Sequence, residues 1–239
     1  MVNIAVDYGN SSTKVGVFKN SELLITTILE KADRFQIEKF INKYSPDGII
    51  LSSVIGNDEF DWIDKCAKKT IKLNHHTALP FINQYKSPKT IGKDRVGAVA
   101  GAQSLFENEN ILVIDAGTAI TFDFLSSDHH YLGGNIAPGL EMRFKALNKF
   151  THQLPMVDKR EFGEFPGQNT REAISAGVIN GMIFEIEGYI KTCTEKWGDI
   201  QTIITGGDSI FFVEKLKKPI FVNQNLVLLG LNRILEHNV

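Results

Sequence analysis

The sequence has few of the features that mark secreted, membrane-bound or metal-stapled proteins. Its only cysteines, Cys66 and Cys193, lie far apart and form no C-x-x-C pair, so neither a disulfide framework nor a structural zinc site is expected. No apolar run approaches the roughly 18 residues that a membrane-spanning helix needs. The opening segment, MVNIAVDYGNS, lacks the basic region and the cleavage site of a secretory signal. We therefore predict a cytoplasmic protein with reduced thiols and no membrane partner.

An excess of charge of one sign is also missing. Twenty-six lysines and arginines against 28 aspartates and glutamates leave a net charge of −2, which gives no electrostatic footprint for nucleic acid. Apolar residues make up 43% of the chain and charged residues 23%, as in an average soluble globular protein. At roughly 150 residues per domain, the length fits one large domain or two small lobes. The composition favours a protein that acts on small molecules.

Strand and helix patterns alternate along the chain and predict an α/β fold. A strand, an aspartate, a glycine turn and a second strand occur near residue 7 and again near residue 115, which indicates a duplicated fold. We therefore predict an N-terminal lobe over 1–109 and a C-terminal lobe over 110–239. The predicted strands cover 2–6, 13–18, 22–28, 47–54, 111–114, 119–125, 131–136 and 200–204. The predicted helices cover 33–44, 58–69, 93–106, a segment from 140, 170–197 and 225–237.

The first glycine turn is the strongest local signal for chemistry. In the run DYGNSSTK, Asp7 ends a strand and Gly9 permits a tight turn whose N–H groups can form a concave anion site. Asp7 suits Mg²⁺, a hard cation that prefers oxygen ligands and keeps some of its waters. Neutral donors and a cation follow in Asn10, Ser11, Ser12 and Lys14. The run is neither of the common glycine-rich nucleotide motifs, and read alone it also fits an ordinary hairpin.

Two further glycine turns follow. The run DAGTAIT repeats the acidic strand end at Asp115 and adds hydroxyls at Thr118 and Thr121. The run TGGDS, at residues 205–209, follows a strand and opens a helix, and its paired glycines let a flat ligand lie against backbone. Each is weak alone. Their order resembles the phosphate-1, phosphate-2 and adenosine motifs of the actin, hexokinase and Hsp70 ATPase superfamily. The resemblance implies a two-lobed, duplicated ribonuclease H-like fold that binds ATP in the cleft between its lobes.

Three further segments resemble one family of that superfamily. These are the GKDR run at 92–95, the run GGNIAPG at 133–139, and Asn169-Thr170. With the three glycine turns, they make the chain similar to type III pantothenate kinases from Asp7 to Ser209. The resemblance implies transfer of the ATP γ-phosphate to the hydroxyl of pantothenate, which gives 4′-phosphopantothenate in the first step of coenzyme A biosynthesis. It also implies a homodimer that needs Mg²⁺ and a monovalent cation, K⁺ or NH₄⁺.

The same resemblance assigns roles to individual residues. Asp94 would be the general base, Asp115 would bind the monovalent cation and Thr118 would contact ATP. The ATP phosphates would be held by Asp7, Tyr8, Gly9, Asn10, Ser11, Ser12, Thr13 and Lys14. The pantothenate pocket would be lined by Tyr85, Gly92, Lys93, Asp94, Arg95 and Thr170. From the residues alone, Asp94 fits equally a helix N-cap, and Arg95 fits either a carboxylate-binding group or a structural ion pair.

Other polar and aromatic residues suggest structural roles. We expect the adjacent pairs His75-His76 and His129-His130 on the surface, since neighbours on a strand point to opposite faces and make no chelate. Asp123 and Asp128 are expected to be solvated, and Phe184 to lie in the core. Two other functions remain open: a kinase of the same superfamily with a sugar or small carboxylate as acceptor, and a nucleotide-binding regulatory module without turnover.

Overall fold

The computed structural model describes residues 1–9, 12–30, 34–161, 163–217 and 220–239, the side chain of Glu30 excepted. The closeness of Cα atoms in space divides the chain into two compact units. Unit 1 contains residues 1–109, 125–133 and 225–239, and unit 2 contains residues 110–124 and 134–224. Two mixed sheets and the helices packed on them give the α/β architecture that the alternating pattern predicts.

The five-stranded sheet of unit 1 has the order β3-β2-β1-β4-β5. Its strands are β1 (Val2–Tyr8), β2 (Ser12–Lys19), β3 (Glu22–Glu30), β4 (Gly48–Ser53) and β5 (Lys69–Lys72). The first three form an antiparallel meander, and β4 and β5 continue the sheet in parallel. Every residue of β4 is buried, which explains its continuous apolar run.

Helices cover this sheet and bury its side chains. Helix α1 (Arg34–Tyr44) and a 3-10 helix (Asn57–Lys65) share a core with β1, β2 and β4. Ile4 and Val6 of β1 belong to that core. Asn3 lies on the opposite side of the pleat and donates from Nδ2 to Asn232 Oδ1 on α6 (Leu226–His237), at 3.0 Å. Alternate residues of β1 therefore pack against different layers.

Helix α2 (Lys93–Leu105) packs backbone to backbone against α6. A Cβ placed on Gly101 of α2 would lie 2.2 Å from the carbonyl oxygen of Leu226, and one on Gly230 of α6 would lie 1.7 Å from that of Gly97. Only glycine permits this approach. Residues 95–103 of α2 are buried throughout, which accounts for the lack of a polar stripe in this segment of the sequence.

Unit 2 is built on β7 (Ile111–Ala116), β8 (Ala119–Leu125), β9 (His130–Pro138), β10 (Gln201–Thr205) and β11 (Phe221–Val222). With β6 (Ile82–Asn83), these strands form a sheet of order β11-β10-β7-β8-β9-β6, of which β6 and residues 125–133 belong to unit 1. The helices are α3 (Leu140–Phe150), α4 (Thr170–Trp197) and α5 (Ser209–Val213). Phe122 and Phe124 of β8 stack on Tyr189 and Trp197 of α4, each pair with 3.9 Å between ring centroids.

Several predictions about the elements differ from the structure. The helix predicted over 58–69 is a 3-10 helix that ends at Lys65, and its backbone is interrupted at Phe60 by non-helical angles. Lys69 instead begins β5, because the segment pairs with β4 as a short edge strand. Strand β6 lies inside the segment 75–90, for which its proline, asparagine and lysine residues predict loops. The first residue of the helix predicted over 33–44 is outside the described residues.

The predicted lobes also divide the chain differently from the two units. Residues 125–133 and 225–239 belong to unit 1, whereas the sequence predicts both segments to be part of the second lobe. The lobes as folding domains stay a prediction. Among the helices in the described ranges, none is both long and apolar enough to cross a bilayer.

We expect Gly230→Ala to destabilise the protein, because its methyl group would overlap the Gly97 carbonyl in the α2–α6 contact. Overpacking of this kind costs about 1–3 kcal/mol. Gly56→Ala is the matched control: a Cβ there meets no described atom within 4 Å, and alanine readily adopts its φ of −56°. Urea unfolding should show a loss of stability for the first variant and none for the second. Equal stability of the two variants would contradict the close approach.

Candidate functional site

The hairpin between β1 and β2 holds the first glycine turn. Asp7 lies opposite Lys14 on β2 and beside Ser52 on β4, and Tyr8 lies opposite Thr13. The amide of Gly9 donates to the carbonyl of Ser12 at 3.1 Å and closes the turn. Gly9 does not adopt a positive φ. A Cβ on it would lie 3.2 Å from the carbonyl oxygen of Ser12, so glycine here lets the two backbone segments of the turn lie close together. Asn10 and Ser11 lie outside the described residues.

The pKa of Asp7 is raised from its ordinary value of 3.8 to about 6, mainly by burial and to a smaller extent by the negative charge of Asp94. A hydrogen bond from Ser52 and the charge of Lys14 partly offset this. The carboxylates of Asp7 and Asp94, both in unit 1, therefore repel each other when both are ionised. A cation bound there would stabilise the ionised pair. Asp7 offers the oxygen donor that Mg²⁺ prefers.

Asp94 is the second residue of α2 and is exposed. The N-cap position belongs to Gly92, so the reading of Asp94 as an N-cap is wrong. Asp94 Oδ1 accepts a hydrogen bond from the amide of Arg95 at 2.8 Å, and a Cβ on Gly92 would lie 2.4 Å from the same oxygen. Gly92 thus leaves room for the carboxylate over the first turn of α2.

Lys93 fixes the start of α2 to β4. Its Nζ donates to the carbonyl of Ser53 at 3.0 Å and to Asn57 Oδ1 at 2.8 Å. Burial lowers the pKa of the Lys93 ammonium. The two oxygen acceptors compensate part of that burial, because a desolvated ammonium needs hydrogen-bond partners. Lys93 therefore holds Asp94 in place through α2.

Arg95 is buried, with 4% of its surface exposed, and lies among aromatic rings. Its Nη2 donates to the hydroxyl of Tyr131 at 2.9 Å, and its guanidinium carbon lies 5.4 Å from the centroid of the Tyr85 ring. Tyr131 stacks on Tyr85 with 6.1 Å between centroids and is fully buried. The sequence reading identified Arg95 and Tyr85 but missed Tyr131, because no motif distinguishes this tyrosine at the start of β9.

In unit 2, glycines surround the turn after β7. Asp115 is half-buried at the end of that strand and pairs in register with Thr205 of β10. Gly117 N donates to Ala119 O at 3.0 Å, and Gly139 N donates to Thr118 O at 3.1 Å. A Cβ on Gly139 would lie 2.2 Å from the Gly117 oxygen. The GGNIAPG run, which carried no assigned chemistry, therefore supports the turn that presents the exposed Thr118.

The same run corrects the expectation for Asp123. This residue is 1% exposed, and its Oδ2 accepts a hydrogen bond from Thr121 Oγ1 at 3.1 Å. A Cβ on Gly134 would lie 2.6 Å from Asp123 Oδ1 and 2.0 Å from the Phe122 carbonyl oxygen. Asp123 is thus a buried structural carboxylate, whereas Asp128 is exposed as predicted.

A cavity of about 360 Å³ lies beside the third glycine turn, within unit 2. Apolar side chains of α3 and of the following loop form one part of the cavity lining. Another part of the lining contains the ion pair between Lys159 Nζ and Asp208 Oδ1, which lie 2.5 Å apart. Its volume falls at the small end of the range for small-molecule sites. The lining residues are Leu140, Glu141, Phe144, Met156, Val157, Asp158, Lys159, Glu161 and Asp208.

Thr170 is the first residue of α4 and is exposed. The preceding Asn169 caps the helix, because its Oδ1 accepts from the amide of Glu172 at 3.1 Å. Glu172 Oε2 in turn accepts from the amide of Gln168 at 2.9 Å. These two bonds fix the backbone on both sides of Thr170.

The histidines contribute no metal site. His75 and His76 are exposed as predicted, but His129 and His130 are only partly exposed. The Nδ1 atom of His129 lies 2.9 Å from Gln103 Nε2, and that of His130 lies 2.9 Å from Asp128 Oδ2, which explains their burial. Across the described ranges, no group of three or more His, Cys, Asp or Glu side chains is arranged to hold a metal. A metal at Asp7 would therefore need water or ligand oxygens to complete its shell.

The raised pKa of Asp7 predicts a pH-dependent cost to stability. The folded state binds the proton more tightly than the unfolded state between pH 3.8 and about 6, so stability falls as pH rises through that window. Asp7→Asn should remove the cost and gain about 2–3 kcal/mol over the wild type above pH 6, but little at pH 4.

Urea unfolding in chelated buffer from pH 4 to 7.5 measures this difference. Asp158→Asn is the control, because Arg160 lowers the pKa of Asp158 to about 2 and its contribution is constant across that range. A pH-independent difference between Asp7→Asn and the wild type would contradict the raised pKa.

Comparison with known proteins identifies the family. Residues 3–192 match the family model described as type III pantothenate kinase. A type III pantothenate kinase from Christiangramia forsetii is 43% identical over 242 residues, with 99% of each chain covered. The fold is shared with a Baf family protein from Campylobacter jejuni, which is 24% identical with 98% of each chain covered and a TM-score of 0.65. It is also shared with the ROK hexokinase from Thermus thermophilus, which is 10% identical, with 100% of this chain and 99% of the hexokinase covered and a TM-score of 0.56. The fold is thus of the actin and hexokinase type, and the chain belongs to the type III pantothenate kinase family.

Proposed function

We propose that this protein transfers the γ-phosphoryl group of ATP to the hydroxyl of pantothenate and forms 4′-phosphopantothenate, the first step of coenzyme A biosynthesis. The observation that carries the proposal is the match along nearly the whole chain to relatives that bear the name of this activity. The exposed carboxylate of Asp94 beside the buried guanidinium of Arg95 supports it chemically.

The β1–β2 hairpin would bind the phosphates of ATP. Backbone N–H groups of a tight turn favour anions, and Lys14 lies opposite Asp7 on the neighbouring strand. Mg²⁺ held by Asp7 would neutralise phosphate charge, which is the chemistry that the ion supplies when bound. The full set for this role is Asp7, Tyr8, Gly9, Asn10, Ser11, Ser12, Thr13 and Lys14. Within this set, the assignment of Asn10 and Ser11 rests on the family resemblance alone.

The adenosine part of ATP is assigned to unit 2. Thr118 would contact the nucleotide from an exposed position on a turn that Gly139 supports. The cavity beside Asp208 has apolar walls for a flat base and carboxylates that accept hydrogen bonds from an amino group. This assignment gives the third glycine turn a ligand of the size and polarity that its surroundings accept.

Asp94 would accept the proton of the pantothenate hydroxyl. Phosphoryl transfer needs little covalent help from the protein, so a positioned carboxylate and neutralisation of charge supply most of the catalysis. Asp94 is exposed and therefore accessible to substrate, and Gly92 and Lys93 fix its location. The hydroxyl proton would move to the Asp94 carboxylate as the phosphoryl group moves to the hydroxyl oxygen.

Arg95 would bind the carboxylate of pantothenate. A guanidinium offers paired N–H donors that match a carboxylate, and in buried surroundings such charge-assisted bonds are strong. Tyr131 and Tyr85 restrict the side chain to one orientation, so less freedom is lost when substrate binds. We also assign Tyr85, Gly92 and Lys93 to pantothenate binding, and Thr170 on the family resemblance alone.

We assign the monovalent cation, K⁺ or NH₄⁺, to Asp115. Its half-buried carboxylate at the end of β7 offers the oxygen donor that such ions need, and its Oδ1 lies against the glycine after β10. When bound, the cation would supply positive charge to a phosphate site that already contains carboxylates.

The protein is further proposed to be a homodimer. One face of α4 contains Gly177, Gly181, Phe184 and Gly188. The sequence suggested that Phe184 lies in the core, but its side chain is 63% exposed. A Cβ on any of the three glycines meets no described atom within 4 Å. An exposed apolar side chain among small residues suits a second copy of the chain. Sedimentation at micromolar concentration should give twice the mass of one chain, and a monomer would contradict the assignment.

Asp94→Asn should reduce turnover by about 10²–10⁴-fold, because the amide cannot accept the hydroxyl proton, while the affinity for ATP is retained. A coupled assay with pantothenate, ATP and K⁺ measures turnover, and calorimetry measures ATP binding. Asp58→Asn is the control, since Asp58 is also exposed in the first turn of a helix. Full activity of Asp94→Asn would contradict the assignment of Asp94 as the general base. Faster phosphoryl transfer to a sugar than to pantothenate would contradict the assignment of pantothenate as the acceptor.

Tyr131→Phe should raise the KM for pantothenate by about tenfold, because loss of a hydrogen bond worth roughly 1.5 kcal/mol frees the Arg95 guanidinium. The KM for ATP should change less than twofold. Steady-state kinetics with each substrate varied in turn measure both constants. Tyr189→Phe is the matched control, since Tyr189 stacks on Phe122 in the core of unit 2. An equal rise in both KM values for Tyr131→Phe would point to a general loss of structure instead.

A further inference from the structure

The first glycine of the TGGDS run packs directly against the aspartate at the end of β7. Gly206 follows Thr205, which pairs in register with Asp115. A Cβ on Gly206 would lie 2.4 Å from Asp115 Oδ1 and 2.4 Å from the carbonyl oxygen of Ala116. Gly206 also has a φ of +92°, which side chains rarely adopt. Any other residue there would press on the carboxylate.

Hydrogen bonds hold this turn in position, so it cannot move aside without loss. The amide of Asp208 donates to the Ala116 oxygen at 2.9 Å. Ser209, which is fully buried, donates to the Gly206 oxygen from its amide at 3.2 Å and from its hydroxyl at 2.8 Å. Breaking buried bonds of this kind would leave polar groups without partners. With the turn held in this way, a side chain at 206 would press on the Asp115 carboxylate and on the Ala116 carbonyl.

The neighbouring glycines do not press on Asp115. A Cβ on Gly207 meets no described atom within 4 Å, and one on Gly117 would lie at an ordinary 3.5 Å from Asp115 Oδ1. The two glycines of the TGGDS run therefore differ in what they touch. The sequence offers no way to distinguish them.

We propose that Gly206 is a positioning residue for the Asp115 carboxylate, so that the turn after β10 controls the monovalent-cation site as well as contributing to nucleotide binding. The inference rests on the proposed cation role of Asp115. Because Gly206 carries no side chain, the carboxylate oxygen occupies the space beside its Cα. A methyl group there displaces Oδ1 and changes the geometry that it presents to K⁺.

The test compares Gly206→Ala with Gly207→Ala. Thermal melting in KCl and in NaCl measures K⁺ binding without turnover, and steady-state assays give the K⁺ concentration for half-maximal activity. We expect Gly206→Ala to lose the extra stabilisation by K⁺ and to need at least tenfold more K⁺. Gly207→Ala should keep its K⁺ response within twofold, even where its KM for ATP changes. An unchanged K⁺ response in Gly206→Ala, or an equal loss in both variants, would overturn the proposal.

Asp115→Ala separates this inference from the cation assignment on which it rests, because alanine offers no oxygen ligand. If Asp115→Ala keeps the K⁺ response, the cation role itself is wrong, and the inference fails with it. If Asp115→Ala loses the response and Gly206→Ala retains it, only the inference is wrong. If Gly206→Ala does not fold, Asp115→Gly/Gly206→Ala decides, because glycine at 115 removes the carboxylate and frees the backbone beside Ala116. Recovery of a folded chain supports the conflict with the carboxylate. Failure to recover means that the positive φ and the Ala116 carbonyl, and not the carboxylate, require glycine at 206, and it overturns the proposal.

Discussion

The structure depends on backbone segments that lie too close together to admit a side chain. In unit 1 this constraint joins α2 to α6 at Gly97, Gly101 and Gly230 and so fixes the helix that begins beside Asp94. In unit 2 it places Gly139 and Gly206 against the turn after β7. The close packing of protein interiors makes such contacts intolerant of a single added methyl group. The glycines therefore act on the site through the positions of the residues that they touch.

Electrostatic repulsion is the second constraint, and it opposes folding rather than favouring it. Burial and the charge of Asp94 both disfavour ionised Asp7, so the free protein is less stable than it would be with a neutral residue there. Such a cost is typical of sites that are prepared for a ligand of opposite charge. In the proposed function, Asp7, whose burial weakens the free fold, would hold the Mg²⁺ that neutralises phosphate charge.

Much of the architecture could be predicted from the sequence. The strands around both aspartates, the long helix α4 and the α/β class follow from hydrophobic runs, helical periodicity and turn residues. The 3-10 helix and β5 could not, because a short edge strand is determined by its neighbour β4 and not by its own four residues. Local patterns encode local geometry, whereas edge pairing depends on tertiary context.

The site could be predicted in part. Motif spacing identifies Asp7, Asp94 and Asp115 as acidic residues beside tight turns or at a helix start. Tyr131 and the difference between Gly206 and Gly207 depend on contacts between residues far apart in the sequence. A tyrosine that orients an arginine has no spacing rule, and two adjacent glycines are equivalent until the strand beside them is known. Asp123 illustrates the same limit, since its burial follows from Gly134 on the next strand.

The three open glycines of α4 have a thermodynamic consequence for the isolated chain. Glycine inside a helix costs about 1 kcal/mol relative to alanine, and Gly177, Gly181 and Gly188 gain no compensating contact among the described residues. A folded monomer would thus be weakened by an amount that is large beside the usual 5–15 kcal/mol of a domain. If association covers this face, mass action couples folding to subunit concentration, and dilution alone would lower the melting temperature.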